Sequence, residues 1–185
     1  MNLKQIWKFI WYDDSLLAWF LNLIVAFIIV KFIIYPCLGF ALSTDYPVVA
    51  VVSGSMEHPD SFNSWWDSQE KWYTSNNISL LDFKEFPLSN GFNKGDIIVL
   101  TGLKEIKLGD VIVFQGNSKN PIIHRVVKIN NQQQYTTKGD NNHDSSQALS
   151  EVNIPKSRVL GTGMIRIPLL GWIKILFTDL LLLFF

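Results

Sequence analysis

The sequence is short of cysteine, of histidine and of net charge. Its 185 residues hold one cysteine, Cys37, so no disulfide can form within the chain. Three histidines and that cysteine make no zinc-type spacing, and a site assembled from His58, Asp140, His143 and Asp144 has no spacing rule behind it. No cofactor is implied. Lys+Arg and Asp+Glu stand at 16 each, so there is no electrostatic footprint for a nucleic-acid partner. Apolar surface is what the chain has in quantity. With 48% hydrophobic residues, it fits one compact domain plus membrane segments better than two full domains.

Residues 15–36 form a long apolar run interrupted by one charge, Lys31, and one amide, Asn22. As a helix the run rises about 33 Å, enough for a hydrocarbon core of about 30 Å. Trp11, Tyr12 and Trp19 sit at one end and Tyr35 at the other, as an aromatic belt would. The run closes on Tyr35-Pro36-Cys37 rather than on small residues, which favours an uncleaved anchor over a cleavable leader. Lys4 and Lys8 precede it, diluted by Asp13 and Asp14, so residues 1–14 are expected inside and the following domain outside. Residues 169–185 are apolar again, about 25 Å long as a helix, and are expected to form a second span or an interfacial helix. Their two charges, Lys174 and Asp179, would point about 140° apart. A buried helix of the exterior domain is the plainer alternative.

Between these segments, residues 37–168 change period. Tyr46–Val52, Asp96–Leu100, Asp110–Phe114, Pro121–Ile129 and Gln134–Lys138 read as strands, with Arg158–Met164 and Ile165–Ile167 as the last two. GDIIVLTG and GDVIVFQG look like one repeated strand opening. The expected class is mainly β, an antiparallel domain of sandwich or barrel type. Residues 57–92 break the pattern. Phe62, Trp65, Trp66, Trp72 and Tyr73 share one face of a helix starting near Asp60 or Ser61, and Ser79 looks like the cap of a second. This helical insertion is expected to pack on the core, with a membrane-dipping face as the alternative. Asn77-Ile78-Ser79 is a glycosylation acceptor triplet, a pattern common by chance.

Three places carry chemistry. Ser55 lies in Ser53-Gly54-Ser55-Met56 after the first exterior strand, where Gly54 permits a sharp turn that leaves a hydroxyl open. Alone, this would be a plain turn. His124 sits mid-strand in IIHRVV, on the face of Ile122 and Val126 and opposite Ile123 and Arg125. An imidazole of ordinary pKa, about 6.5, suits a general base near neutral pH, and a serine needs such a base. The turn Lys138-Gly139-Asp140-Asn141-Asn142-His143-Asp144 offers two carboxylates, Asp140 and Asp144, to orient that histidine. His58, three residues after Ser55, is a rival base.

In this order, SGSM after an apolar anchor, two GD strand openings, IIHRVV and TKGDNN resemble the boxes of type I signal peptidases. Histidine before RVV resembles the archaeal and endoplasmic-reticulum group rather than the bacterial, lysine-based one. The resemblance covers roughly residues 45–56 and 94–168, plus the anchor; the insertion lies outside it. It implies a β-domain lying on the cell membrane or the endoplasmic-reticulum membrane, on its exterior or lumenal face. It implies removal of signal peptides from exported preproteins after small residues, with lipid and the translocon as neighbours. Ser55 would attack, His124 would carry the proton, and the Ser55 N–H with Ser53 would hold the oxyanion. The family's orienting acid lies six residues beyond the first aspartate. That position is Ser146 here, so Asp140 or Asp144 must serve instead. Val48, Ala50, Val52 and Met56 are expected to meet the substrate. Two rivals remain: a self-cleaving repressor-type protease, which the anchor and His124 argue against, and a noncatalytic scaffold subunit of the same family.

Overall fold

A computed structural model describes residues 2–118 and 120–184, which divide into two compact units, residues 1–41 and 42–185. Met1, in the expected N-terminal segment, and Phe185, in the expected C-terminal span, lie outside the described residues.

The first unit is helical. Helix α1 covers Leu3–Tyr12, where the sequence suggested only a short N-terminal segment before the anchor. Asp13 and Ser15 end it and start the next: Asp13 Oδ1 accepts the Ser15 N–H at 2.8 Å, and Ser15 Oγ caps the Ala18 N–H at 3.2 Å. From there one helix runs Leu16–Leu42, 27 residues and about 40 Å, longer than the expected 15–36 and apolar enough to cross a membrane. It consists of α2 (Leu16–Ile29), a π-turn (Val30–Ile34) and α3 (Tyr35–Leu42). The π-turn has a cause. Pro36 has no N–H to give, and the widened turn lets Tyr35 donate to the Val30 carbonyl just before it.

The second unit is a six-stranded sheet: β1 (Val48–Ala50), β2 (Ile97–Thr101), β3 (Val111–Phe114), β4 (Ile122–Ile129), β5 (Tyr135–Lys138) and β6 (Val159–Ile167). Their order is β1-β2-β6-β3-β4-β5, with every pairing antiparallel. The two last strands expected from the sequence are one. Val99 faces Ile165 and Leu100 faces Gly163, so Met164 is the extra residue of a bulge, not a break. Strand β3 is buried on both faces. Val111 and Val113 join Met56, Phe92, Ile98 and Leu100, while Ile112 and Phe114 join Val126, Tyr135 and Ile154.

The insertion holds α4 (Phe62–Ser75) and α5 (Leu80–Glu85), capped by Ser61 and Ser79. Trp65, Trp66 and Tyr73 are buried with Ile78 and Phe83 and pack on Val127 of β4. The aromatic face is therefore part of the core, as periodicity suggested. Asn77 lies in the exposed turn between the helices at φ 59°. Helix α6 (Trp172–Phe184) follows, with Ile173, Leu176 and Phe177 exposed along it and Leu169 exposed just before it.

Candidate active site

Strand β1 is an edge of the sheet and delivers the chain into the Ser53–Met56 turn. A Cβ on Gly54 would lie 2.9 Å from the Glu57 carboxylate, the mobile end of a side chain that can swing aside, so neither backbone conformation nor a rigid neighbour demands glycine there. The turn is tied to the 139–142 turn. Asn141 N–H donates to the Ser55 carbonyl at 2.8 Å, and Asp140 N–H to Met56 Sδ at 3.3 Å.

His124 is 4% exposed, and its Nε2 lies 2.9 Å from Ser55 Oγ. Its Nδ1 is hydrogen-bonded to the carboxylate of Glu151, a wholly buried residue absent from the sequence-based candidates. Glu151 Oε2 accepts the Ser146 N–H at 2.6 Å, and Oε1 faces the Thr137 hydroxyl at 3.5 Å. Ser53 Oγ stands 3.2 Å from Ser55 Oγ.

Asp140 and Asp144 do not meet His124. Successive strand residues face opposite sides, and in the β4–β5 register Arg125 faces Lys138 while Val126 faces Thr137. Asp140, two residues past Lys138, keeps to the Arg125 side, where Arg125 Nε and Nη2 bind it at 2.9 and 2.7 Å. His124, Thr137 and Glu151 occupy the other side. Asp144 is exposed and accepts the Trp72 indole N–H at 2.9 Å. Met56 also departs from expectation: it is wholly buried in the core, so it supports the turn and offers substrate no surface. Val48 and Ala50 are half-buried and Val52 is exposed, whereas Val49 and Val51 pack inward. His58, the rival base, hydrogen-bonds Asp140 through Nε2 at 3.0 Å.

No family model matches the chain. Curated proteins do. The signal peptidase complex catalytic subunits SEC11C of Homo sapiens and Canis lupus familiaris are each 32% identical over 98 residues, 48% of this chain and 51% of theirs. The chain thus spans about half the length of these relatives. The signal peptidase complex catalytic subunit SEC11 of Scheffersomyces stipitis is 28% identical over 157 residues, 80% of this chain and 75% of its own. The chain is thus similar to catalytic subunits of the signal peptidase complex.

A second polar cluster backs the Ser55 turn. Burial acts to raise the Asp140 carboxyl, but the Arg125 charge, with hydrogen bonds from His58 and Arg125, holds it well below the usual carboxylate range. Burial pushes the Tyr73 phenol well up, with the Asp140 charge adding to the rise. Burial also lowers the Lys138 ammonium to about 8. Its Nζ donates to Gln69 Oε1 at 2.9 Å and faces the Trp72 and Tyr73 rings at 4.9 and 4.8 Å.

Proposed function

We propose that the chain is a membrane-anchored serine endopeptidase that removes signal peptides, with Ser55 as nucleophile, His124 as general base and Glu151 as its orienting acid. The observation that carries this is the run Ser55 Oγ, His124 Nε2, His124 Nδ1, Glu151 carboxylate, each linked to the next. A carboxylate on Nδ1 keeps the proton there, so Nε2 presents a lone pair to the serine. His124 then takes the Ser55 proton as Oγ attacks the scissile carbonyl, and returns it to the leaving amine. The Ser55 N–H meets the oxyanion, with the Ser53 hydroxyl beside it. A noncatalytic scaffold would have no reason to keep this arrangement. The position six residues after Asp140, where the resemblance expects an acid, is Ser146; its N–H binds Glu151. The longer side chain thus reaches that place from five residues further on.

The free edge of β1 can pair with an extended preprotein as it leaves the membrane. Val48, Ala50 and Val52 share the face turned away from the core, so side chains beside the cut meet shallow apolar ground. In this reading the catalytic unit faces the exterior or the lumen, with preproteins, lipid and the translocon as partners. The specificity test is a preprotein series with Ala, Leu, Phe or Asp at the residue before the cut and two positions upstream. Alanine is expected to exceed Phe and Asp by at least about tenfold in kcat/KM at both positions. Efficient cutting after Phe or Asp contradicts the shallow-pocket reading.

A further inference from the structure

We propose that the helical insertion positions the nucleophile, and that His58 is the residue through which it does so; this rests on the function proposed above. The Asp140 carboxylate is wholly buried and receives four donors. Oδ1 accepts Arg125 Nε at 2.9 Å and the Tyr73 hydroxyl at 3.2 Å. Oδ2 accepts Arg125 Nη2 at 2.7 Å and His58 Nε2 at 3.0 Å. Two of the four donors therefore belong to residues 57–92. The insertion grips the backbone of Asp140 too, through the Trp65 indole N–H at 3.0 Å from its carbonyl. The His58 ring lies flat on Trp65, with centroids 3.6 Å apart and planes 6° from parallel.

Asp140 passes this grip to the reacting turn. Its N–H donates to Met56 Sδ, and the next N–H, from Asn141, holds the Ser55 carbonyl. The far end of the insertion returns to the same place. Phe92 N–H donates to the Met56 carbonyl at 2.9 Å, and a Cβ on Gly91 would come within 2.4 Å of that oxygen and 2.7 Å of His58 Cδ2. Both ends of the insertion thus close on the residue after Ser55. Among the described residues the His58 Nδ1 is buried without a partner, and the hydrogen bond the ring makes there is the Nε2–H donated to Asp140. His58 is a positioning residue, not a base.

The test uses the full chain in detergent. His58→Phe keeps a ring on Trp65 and removes the donor, while His58→Gln keeps a donor close to the Nε2 position. His58→Phe is expected to lower kcat between about tenfold and a hundredfold, with KM changed less than about twofold. His58→Gln is expected to recover most of the loss. Tyr73→Phe, which removes the other donor from the insertion, is expected to act in the same direction with a smaller loss. A second readout needs no activity. Amide exchange in the 139–142 segment should quicken by about tenfold in His58→Phe while the 97–101 strand stays as slow as before. If the unaltered chain cuts no preprotein, the functional reading fails, and exchange alone decides whether the insertion holds the turn. Wild-type exchange at 139–142 in both His58→Phe and Tyr73→Phe overturns the proposal. Uniformly faster exchange across the sheet, with no recovery in His58→Gln, overturns it too, because the insertion is then only a source of stability.

Discussion

Glu151→Gln lowers kcat by about three to four orders of magnitude and leaves KM nearly unchanged. The carboxylate can only accept, so it fixes the proton of His124 on Nδ1 and the lone pair of Nε2 toward Ser55. A glutamine amide can also donate, and the imidazole then settles in the tautomer that cannot take the serine proton. Glu151 is wholly buried and receives the Ser146 N–H, so the replacement changes charge and tautomer more than shape. Asp144→Asn serves as the contrast. Asp144 is exposed and serves Trp72, so its kcat should stay within about twofold of the parent. Steady-state kinetics on a preprotein read both. The reverse ranking would return the orienting role to the 140–144 turn.

Arg125→Met destabilises the β-sheet unit by about 3–5 kcal/mol, measured by chemical denaturation near pH 7. Arg125 binds both oxygens of Asp140 and also donates to the carbonyls of Pro87, Leu88 and Gly109. Its loss leaves a buried carboxylate without its counter-charge. Arg125→Met combined with Asp140→Leu should recover part of that loss, because removing both charges removes the unpaired one. The pH dependence follows from the depressed Asp140 carboxyl. Its contribution is complete above the unfolded carboxylate value of about 3.9 and is lost as pH falls below it toward the lower folded value. In Arg125→Met that contribution is absent, so the gap between parent and variant should narrow as pH drops below about 4. A gap of constant size down to pH 2 would contradict the pairing.

Much of this was legible in the sequence. The strands could be read because short β-branched runs alternate with Gly-Asp turns, and the insertion because its aromatics fall at helical spacing beside two serine caps. Ser55 and His124 stood out only together: alone the serine reads as a plain turn and the histidine as a core residue, but with the 138–144 turn they fall in the order of the signal-peptidase boxes. The acid was harder. Residues 139–158 hold three carboxylates, Asp140, Asp144 and Glu151, and the first two sit in a turn that looks functional. Strand period already set Arg125 and His124 on opposite faces, but the β4–β5 register was needed to show that Asp140 follows Arg125. Nothing local marks Glu151, because it reaches His124 only after the 141–150 loop folds back and Thr137 N–H pairs with its carbonyl. Met56 misled for a related reason. Adjacency to Ser55 suggested contact with substrate, while an apolar side chain at a turn next to the core packs inward.

The central claim is that Ser55, activated by His124, cuts preproteins. The direct measurement is mass spectrometry of the products formed when the purified chain, in detergent, meets a preprotein carrying its signal peptide. The account predicts one cut after a small residue for the unaltered chain. It predicts no cut for Ser55→Ala or for His124→Ala, with the double variant no worse than either alone because the two act as one unit. Cleavage by Ser55→Ala at the parent rate, or no cleavage by the folded parent chain, would contradict it.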